Sequence, residues 1–443
     1  MTDDADRLYP NREARGGATD GAGDDRASVS RRGLLAGSAT AGAALAGCSS
    51  GPGDADTETA TGDGPADGDT VVVFNTGDAT ASLIDPERDE VVDTQHVGLS
   101  SSFPSNQYAP ELTTDADDPL WLNVGRGVRA VAAGSLSELA RVETGSGSNW
   151  QELTPDGTSV VVSAREPAHR NLLVEADRES DAFGEVVAEI DRTDEGGRGD
   201  REGPGPCDVT VHPDGAVAYV PDLFGDTLTV LRLDPFEIAT QIDVPAAAAE
   251  VGDSGDGEAA SAPWMGTVAP SGDRLIVEHR TGTESVWDTS DPADPGLLAL
   301  LTPEADGLGE GALTSEVGPE SRYGYVFTPG TNDVSVVDIE AETVPKRIDV
   351  GGSAFAGTWD PAREKLYVPV QTSDEVAVID GQSRERVERI PVGSAPYGAT
   401  AARVRPEPDG SASLLAAMAA VGLDVGEAET TYCIGNCACG HQL

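Results

Sequence analysis

Three cysteines and a histidine fall within the last residues of the chain, TYCIGNCACGHQL: Cys433, Cys437, Cys439 and His441. Thiolates and an imidazole converging from one short loop form a donor set for copper or zinc, since both metals accept soft sulfur and nitrogen ligands. The spacing is C-x3-C-x-C-x-H, and it predicts a mononuclear site built from these four residues. A disulfide is the competing outcome, Cys433–Cys437 or Cys437–Cys439, with Cys207 as a distant partner under oxidising conditions. The terminal histidine, and a third thiol that one disulfide would leave over, favour the metal.

A second group of candidates is spread through the chain: Trp150, Cys207, Asp208, Trp264, Glu316, Phe355 and Tyr397. Each stands at a comparable place in an internal repeat, in the segments SGSNW, GPGPCDV, SAPWMG, GALTSE, GSAFAG and GSAPYG. They are expected to converge as an aromatic-lined funnel whose two carboxylates, Asp208 and Glu316, help to bind a small ligand. The alternative is packing between repeats. His212, just before Pro213-Asp214-Gly215, reads as a turn residue, and His169 and His279 read as solvated. The chain has no G-x-S-x-G elbow, no Gly-rich phosphate loop and no Ser/His/Asp arrangement, which weighs against hydrolases and nucleotide-dependent enzymes that need them.

The repeat that must position these residues is clearest at residues 219–244, YVPDLFGDTLTVLRLDPFEIATQIDV. An apolar pair starts a strand, Gly225-Asp226 turns the chain, and the next run alternates with the period of two of a β-strand. Asp234-Pro235 then turns into a third strand. Close copies lie at 72–97, 325–350 and 367–392, and degenerate ones start near Trp121, Val161 and Ile276. That makes seven, at steps of about 40 to about 58 residues, the range of a four-stranded propeller blade with variable loops. The fourth strand lies upstream, before turns such as the Pro-Asp-Gly of LTPDGTSVVV and VHPDGAVAYV.

The first copy lacks this upstream strand, whereas the last is followed by GSAPYGATAARV. Residues 396–404 are therefore expected to supply the missing strand and close an all-β, seven-bladed propeller over residues 71–404, with no open sheet edge. The phrases YVPD, YVFTPGTNDVSVVDIE and YVPVQTSDEVAVID resemble the YVTN-type β-propeller repeat of bacterial and archaeal surface and periplasmic proteins. That resemblance implies the fold and little about activity, because propellers host binding modules, lactonases, quinoprotein dehydrogenases and redox enzymes alike. A lactonase-like site of a few acidic residues at the channel would leave no motif.

Lys+Arg 29 against Asp+Glu 78 gives a formal charge of −49, and only Lys346 and Lys365 are lysines. A hydrated carboxylate surface with arginine preferred to lysine predicts a halophile's protein, in which dense salt screens the self-repulsion. The same field disfavours nucleic acid as a partner. Near the N-terminus, Ser30-Arg31-Arg32-Gly33-Leu34-Leu35 resembles a twin-arginine export signal, and Leu45-Ala46-Gly47-Cys48 resembles a lipobox. These resemblances imply removal of residues 1–47, lipidation of Cys48 and a mature protein anchored on the extracellular face of the cytoplasmic membrane. Residues 48–70, poor in long apolar side chains, read as a tether. The acidic, Gly-rich insertions at 191–204 and 246–261 read as solvated loops, and 411–423 reads as a short helix in a C-terminal segment outside every blade.

The C-x3-C-x3-H subset of the tail is similar to the ligand loop of the dinuclear copper A site of nitrous oxide reductase and cytochrome oxidase subunit II. Carried over, Cys433 and Cys437 would be bridging thiolates and His441 a terminal ligand. That loop continues to a methionine three residues on, whereas this sequence stops at Leu443, and residues 405–431 hold no second histidine. The simpler mononuclear site is therefore preferred, and nitrous oxide reduction is rejected. The expected role is a lipid-anchored binding or accessory propeller with a copper or zinc tail. Its rivals are an extracellular oxidoreductase using the tail as an electron relay and an adhesion scaffold with a disulfide-closed tail.

Overall fold

The computed structural model describes residues 66–104, 112–199, 201–247 and 260–431. Strands in it alternate with tight turns and stack into six four-stranded antiparallel sheets and one with three described strands, the seven blades of an all-β propeller. Blade 1 is built from both ends of the ring: Pro396–Arg405 innermost, then Ala66–Asn75, Thr80–Asp85 and Glu90–His96. Blades 2 to 7 follow over residues 119–143, 150–191, 210–243, 263–301, 315–349 and 358–391.

The closing strand pairs antiparallel with Ala66–Asn75, Val71 lying opposite Ala401 and Val73 opposite Ala399. The ring therefore closes as the unmatched first and last repeats require, and blade 1 has no unpaired inner edge. Its second strand begins at Ala66 rather than at residue 71, so the blade takes up the last residues assigned to the tether.

Burial falls outward along each blade. In blade 4 every residue of Val217–Asp222 is buried, whereas the outermost strand Phe236–Asp243 alternates half-buried and exposed. Inner strands have a neighbouring blade on both faces, and so read as continuous apolar runs. Outer strands show water one face, and so alternate. The packing between blades is apolar, with clusters such as Tyr325, Val336, Trp359, Leu366 and Val368 between blades 6 and 7.

The insertion after blade 3 departs from the expected solvated loop. Arg192 is fully buried and donates to both carboxylate oxygens of Asp222 at 2.7 and 2.8 Å and to Glu195 at 2.9 Å, which pins residues 192–195 against blade 4. Most of the second insertion lies outside the described residues. So do the export motif (Arg31, Arg32), Cys48 and the tail residues Cys433, Cys437, Cys439 and His441.

Beyond the ring, Asp409 caps the helix Gly410–Ala420 by accepting from the Ser411 and Ala412 amides. Glu429 then pairs in parallel with Leu99 and forms an ion pair with buried Arg129. Thr431 is buried, its hydroxyl 2.6 Å from that of Ser102.

Candidate functional site

The innermost strands run side by side around the channel, so each has an upper, N-terminal end and a lower, C-terminal end. At the upper end stand the aromatic candidates. The Phe103 ring lies 4.5 Å from Trp150 and 5.7 Å, edge-on, from Tyr397, which stacks on Phe355 at 4.9 Å and 8°. Trp150, Cys207, Trp264 and Tyr397 belong to one buried cluster with Met265, and Phe355 packs against it. Asn149 donates to the Cys207 carbonyl at 2.6 Å and lies 3.1 Å from its sulfur. The structure thus brings these candidates together, at an end of the channel filled by their own side chains.

One and two turns of the pleat further down, the walls become polar. Glu152, Thr210, Thr267, Glu316, Thr358 and Thr400 occupy equivalent positions on successive innermost strands, and several reach across to the next blade. The Val211 amide donates to Glu152 at 3.0 Å, the Val268 amide to the Thr210 hydroxyl at 3.2 Å, and the Thr267 hydroxyl to the Ser315 carbonyl at 2.9 Å. Asp208, one layer higher, accepts from Val209 and Gly266 at 2.6 and 2.7 Å. Glu316 differs: it is 1% exposed, and neither of its carboxylate oxygens has a hydrogen-bond partner.

Removal from water disfavours the charged form of each of these acids. Burial pushes Asp208 up to about 8, against the pull of its two amide donors. It also raises Glu316, which Arg363 partly offsets and Glu152 and Glu278 reinforce. Glu152 is raised by burial as well, with the Val211 amide opposing and Asp208 adding to the shift.

At the lower end lies an open pocket of about 300 Å³. Its lining combines the polar residues Glu152, Thr210 and Thr267, the apolar Val317 and Trp359, and the cationic Arg363. Arg363 takes the turn position filled by Gly157, Gly215 and Gly272 in blades 3, 4 and 5. Its φ is +56°, beside +72°, +74° and +78° for the glycines. A side chain in this left-handed region costs about 1–2 kcal/mol that glycine avoids. Glu152 and Arg363 were missed in the sequence, although Glu152 is the counterpart of Glu316 in the turn alignment, and an arginine at a glycine position was a usable signal.

The histidines correct the expectation of solvation. His279 is fully buried, 2.9 Å from the Ser285 hydroxyl, and burial pulls it down to about 4. His169 is 4% exposed and accepts from the Gly205 amide at 3.3 Å. Each lies on a segment that the neighbouring chain covers, which strand alternation does not reveal. His212 does brace a turn, accepting from Asp214 and lying 2.9 Å from the Gly272 carbonyl. Among the described residues no three His, Cys, Asp or Glu side chains are grouped as metal ligands.

No protein-family model and no curated protein sequence matches the chain. Solved structures do. The periplasmic gluconolactonase PpgL of Pseudomonas aeruginosa superposes with a TM-score of 0.59 at 16% identity, covering 75% of this chain and 99% of that one. A putative 6-phosphogluconolactonase from Bacteroides uniformis gives 0.58 at 13% identity, and a Lactobacillus plantarum protein 0.60 at 13%, each covering 76% of this chain and 99% of the other. The chain shares the β-propeller fold with them.

Proposed function

We propose that the protein is a ligand-binding propeller whose ring takes a small acidic, hydroxyl-rich molecule, sugar acids and their lactones foremost, in the lower pocket of the channel. The observation that carries this reading is Arg363, which lines the same pocket as Glu152 and is held at a φ of +56° where the turns of blades 3, 4 and 5 use glycine and that of blade 6 uses Ser321. A guanidinium is a planar fork matched to carboxylate. Glu152 and the two threonine hydroxyls suit sugar hydroxyls, and Trp359 offers an apolar face. The names of the gluconolactonase structures point to the same ligand class. Calorimetric titration with gluconate, gluconolactone and uncharged sugars tests the reading, and binding of uncharged sugars as tightly as of gluconate would count against Arg363 as the selector.

Lactone hydrolysis is the second reading, favoured by the raised pKa of Glu152. A carboxyl whose protonated form burial favours can hand its proton to the departing ring oxygen and take one back from the water that adds to the carbonyl carbon, giving the open hydroxy acid. Ring opening no faster with protein than without it would remove this reading and leave the binding one.

We assign the mature protein to the outer face of the cytoplasmic membrane through lipidated Cys48, and copper or zinc to Cys433, Cys437, Cys439 and His441. The tail assignment rests on the donor set itself, three thiols and an imidazole within nine residues. Metal content, compared between the whole mature protein and one ending at Gly410, tests it. A redox relay additionally requires a coloured, reducible centre.

A further inference from the structure

Blade 5 carries two acids at a rung that is apolar in four of the other blades and holds neutral polar residues in blades 2 and 3, Asn123 opposite Val128 and Ser163 opposite Asn171. In blades 1, 4, 6 and 7 the last rung but one before the turn between the second and third strands pairs Phe74 with Ala81, Pro221 with Leu228, Phe327 with Val334, and Pro369 with Val376. In blade 5 this rung pairs Glu278 with Glu284. Both are fully buried, and none of their four carboxylate oxygens has a hydrogen-bond partner meeting normal geometry. The pair lies on the blade face that carries Ile276 and Val286, which pack against Val317 and Val326 of blade 6.

Two carboxylates directly opposite each other repel, and each resists leaving water without a partner. Burial accordingly raises both, Glu278 to about 8 with the Ser315 hydroxyl opposing, and Glu284 with the Glu278 charge adding to the shift. Glu316, also buried without a hydrogen-bond partner, lies near enough for the Glu278 charge to add to its own shift. Two acids at this rung put matched oxygen donors where four other blades use apolar packing and blade 3 uses a hydrogen-bonded Ser163–Asn171 pair. Calcium takes several oxygen ligands from carboxylates, hydroxyls and backbone carbonyls, and its two charges balance this pair.

We infer that Glu278 and Glu284, assisted by the Ser315 hydroxyl, bind a calcium-like divalent cation between blades 5 and 6. The site is separate from the soft-donor tail, which calcium does not favour. The cation replaces the two protons that the pair otherwise holds, and so fastens one blade interface of the ring.

The test uses the whole mature protein in molar KCl, stripped with chelator and titrated with Ca²⁺ by calorimetry, with thermal unfolding followed in parallel. Surface carboxylates give weak binding, so Glu278→Gln/Glu284→Gln supplies the baseline, and Glu278→Phe/Glu284→Val, which copies the rung of blade 6, serves if the first fails to fold. The expected result is one tight Ca²⁺ per wild-type chain and a rise of several degrees in the unfolding midpoint, both absent in the variant. Equal stoichiometry and equal midpoint shifts in wild type and variant would overturn the site.

Discussion

Asp208 and Glu316 look alike in the sequence, as acids just inside the channel, yet their surroundings predict opposite responses to amide substitution. Both oxygens of Asp208 accept backbone amides, so Asp208→Asn must turn its own N–H₂ toward one of them, with an expected loss of about 1–3 kcal/mol in chemical denaturation. Glu316 accepts nothing, so Glu316→Gln removes a buried, chargeable group at no cost in hydrogen bonds and should leave the folded state as stable or more so. Arg363→Gly should stabilise the protein by up to about 1–2 kcal/mol, because it returns the turn to the residue its φ favours. Stability lost in that variant would mean that the arginine serves the fold. What the sequence could not separate is contact: Asp208 and Glu316 were legible as channel residues because turn motifs fix their place, whereas Glu152 and the Glu278–Glu284 pair look like ordinary acids until neighbouring blades cover them.

The elements were the most legible part of the chain, because each strand's period and each Pro-Asp-Gly turn repeat several times. Even closure could be read, from a first repeat short of one strand and a last repeat with one too many. A chain ending at Ser394 should therefore lose the innermost strand of blade 1, expose the edge of Ala66–Asn75 and aggregate on size-exclusion chromatography. One ending at Gly410 keeps every strand of the ring and should stay monodisperse. Less legible were segments fixed by tertiary contact: the insertion tied down by buried Arg192, and the stretch after the last helix, where Glu429 and Thr431 dock against residues 99–102. Their composition is that of solvated loops, and only a partner on another blade orders them.

For the whole molecule, electrostatics sets the working conditions. The charge of −49 should make the unfolding midpoint rise with KCl, steeply below about 1 M, where the screening length has already shrunk to about 3 Å. Buried acids add a pH dependence of definite sign. Asp208 and Glu278, near 8 when folded, keep protons that the unfolded chain releases around pH 4, so stability in chelator falls as pH rises from about 4 to about 8. Each such group contributes up to about 1.4 kcal/mol per pH unit. Glu316→Gln should flatten this limb, whereas His279, held near 4, works the other way and lowers stability as pH falls below its usual range. The most direct test of the ligand-binding account is calorimetric titration of gluconate into wild type and Arg363→Gly at one salt concentration. The account predicts one site per wild-type chain, weakened about ten-fold or more in a variant that still folds, the loss expected of a charge-assisted contact. Equal affinity in the two proteins, or no binding to wild type by any sugar acid or lactone at millimolar concentration, would contradict it.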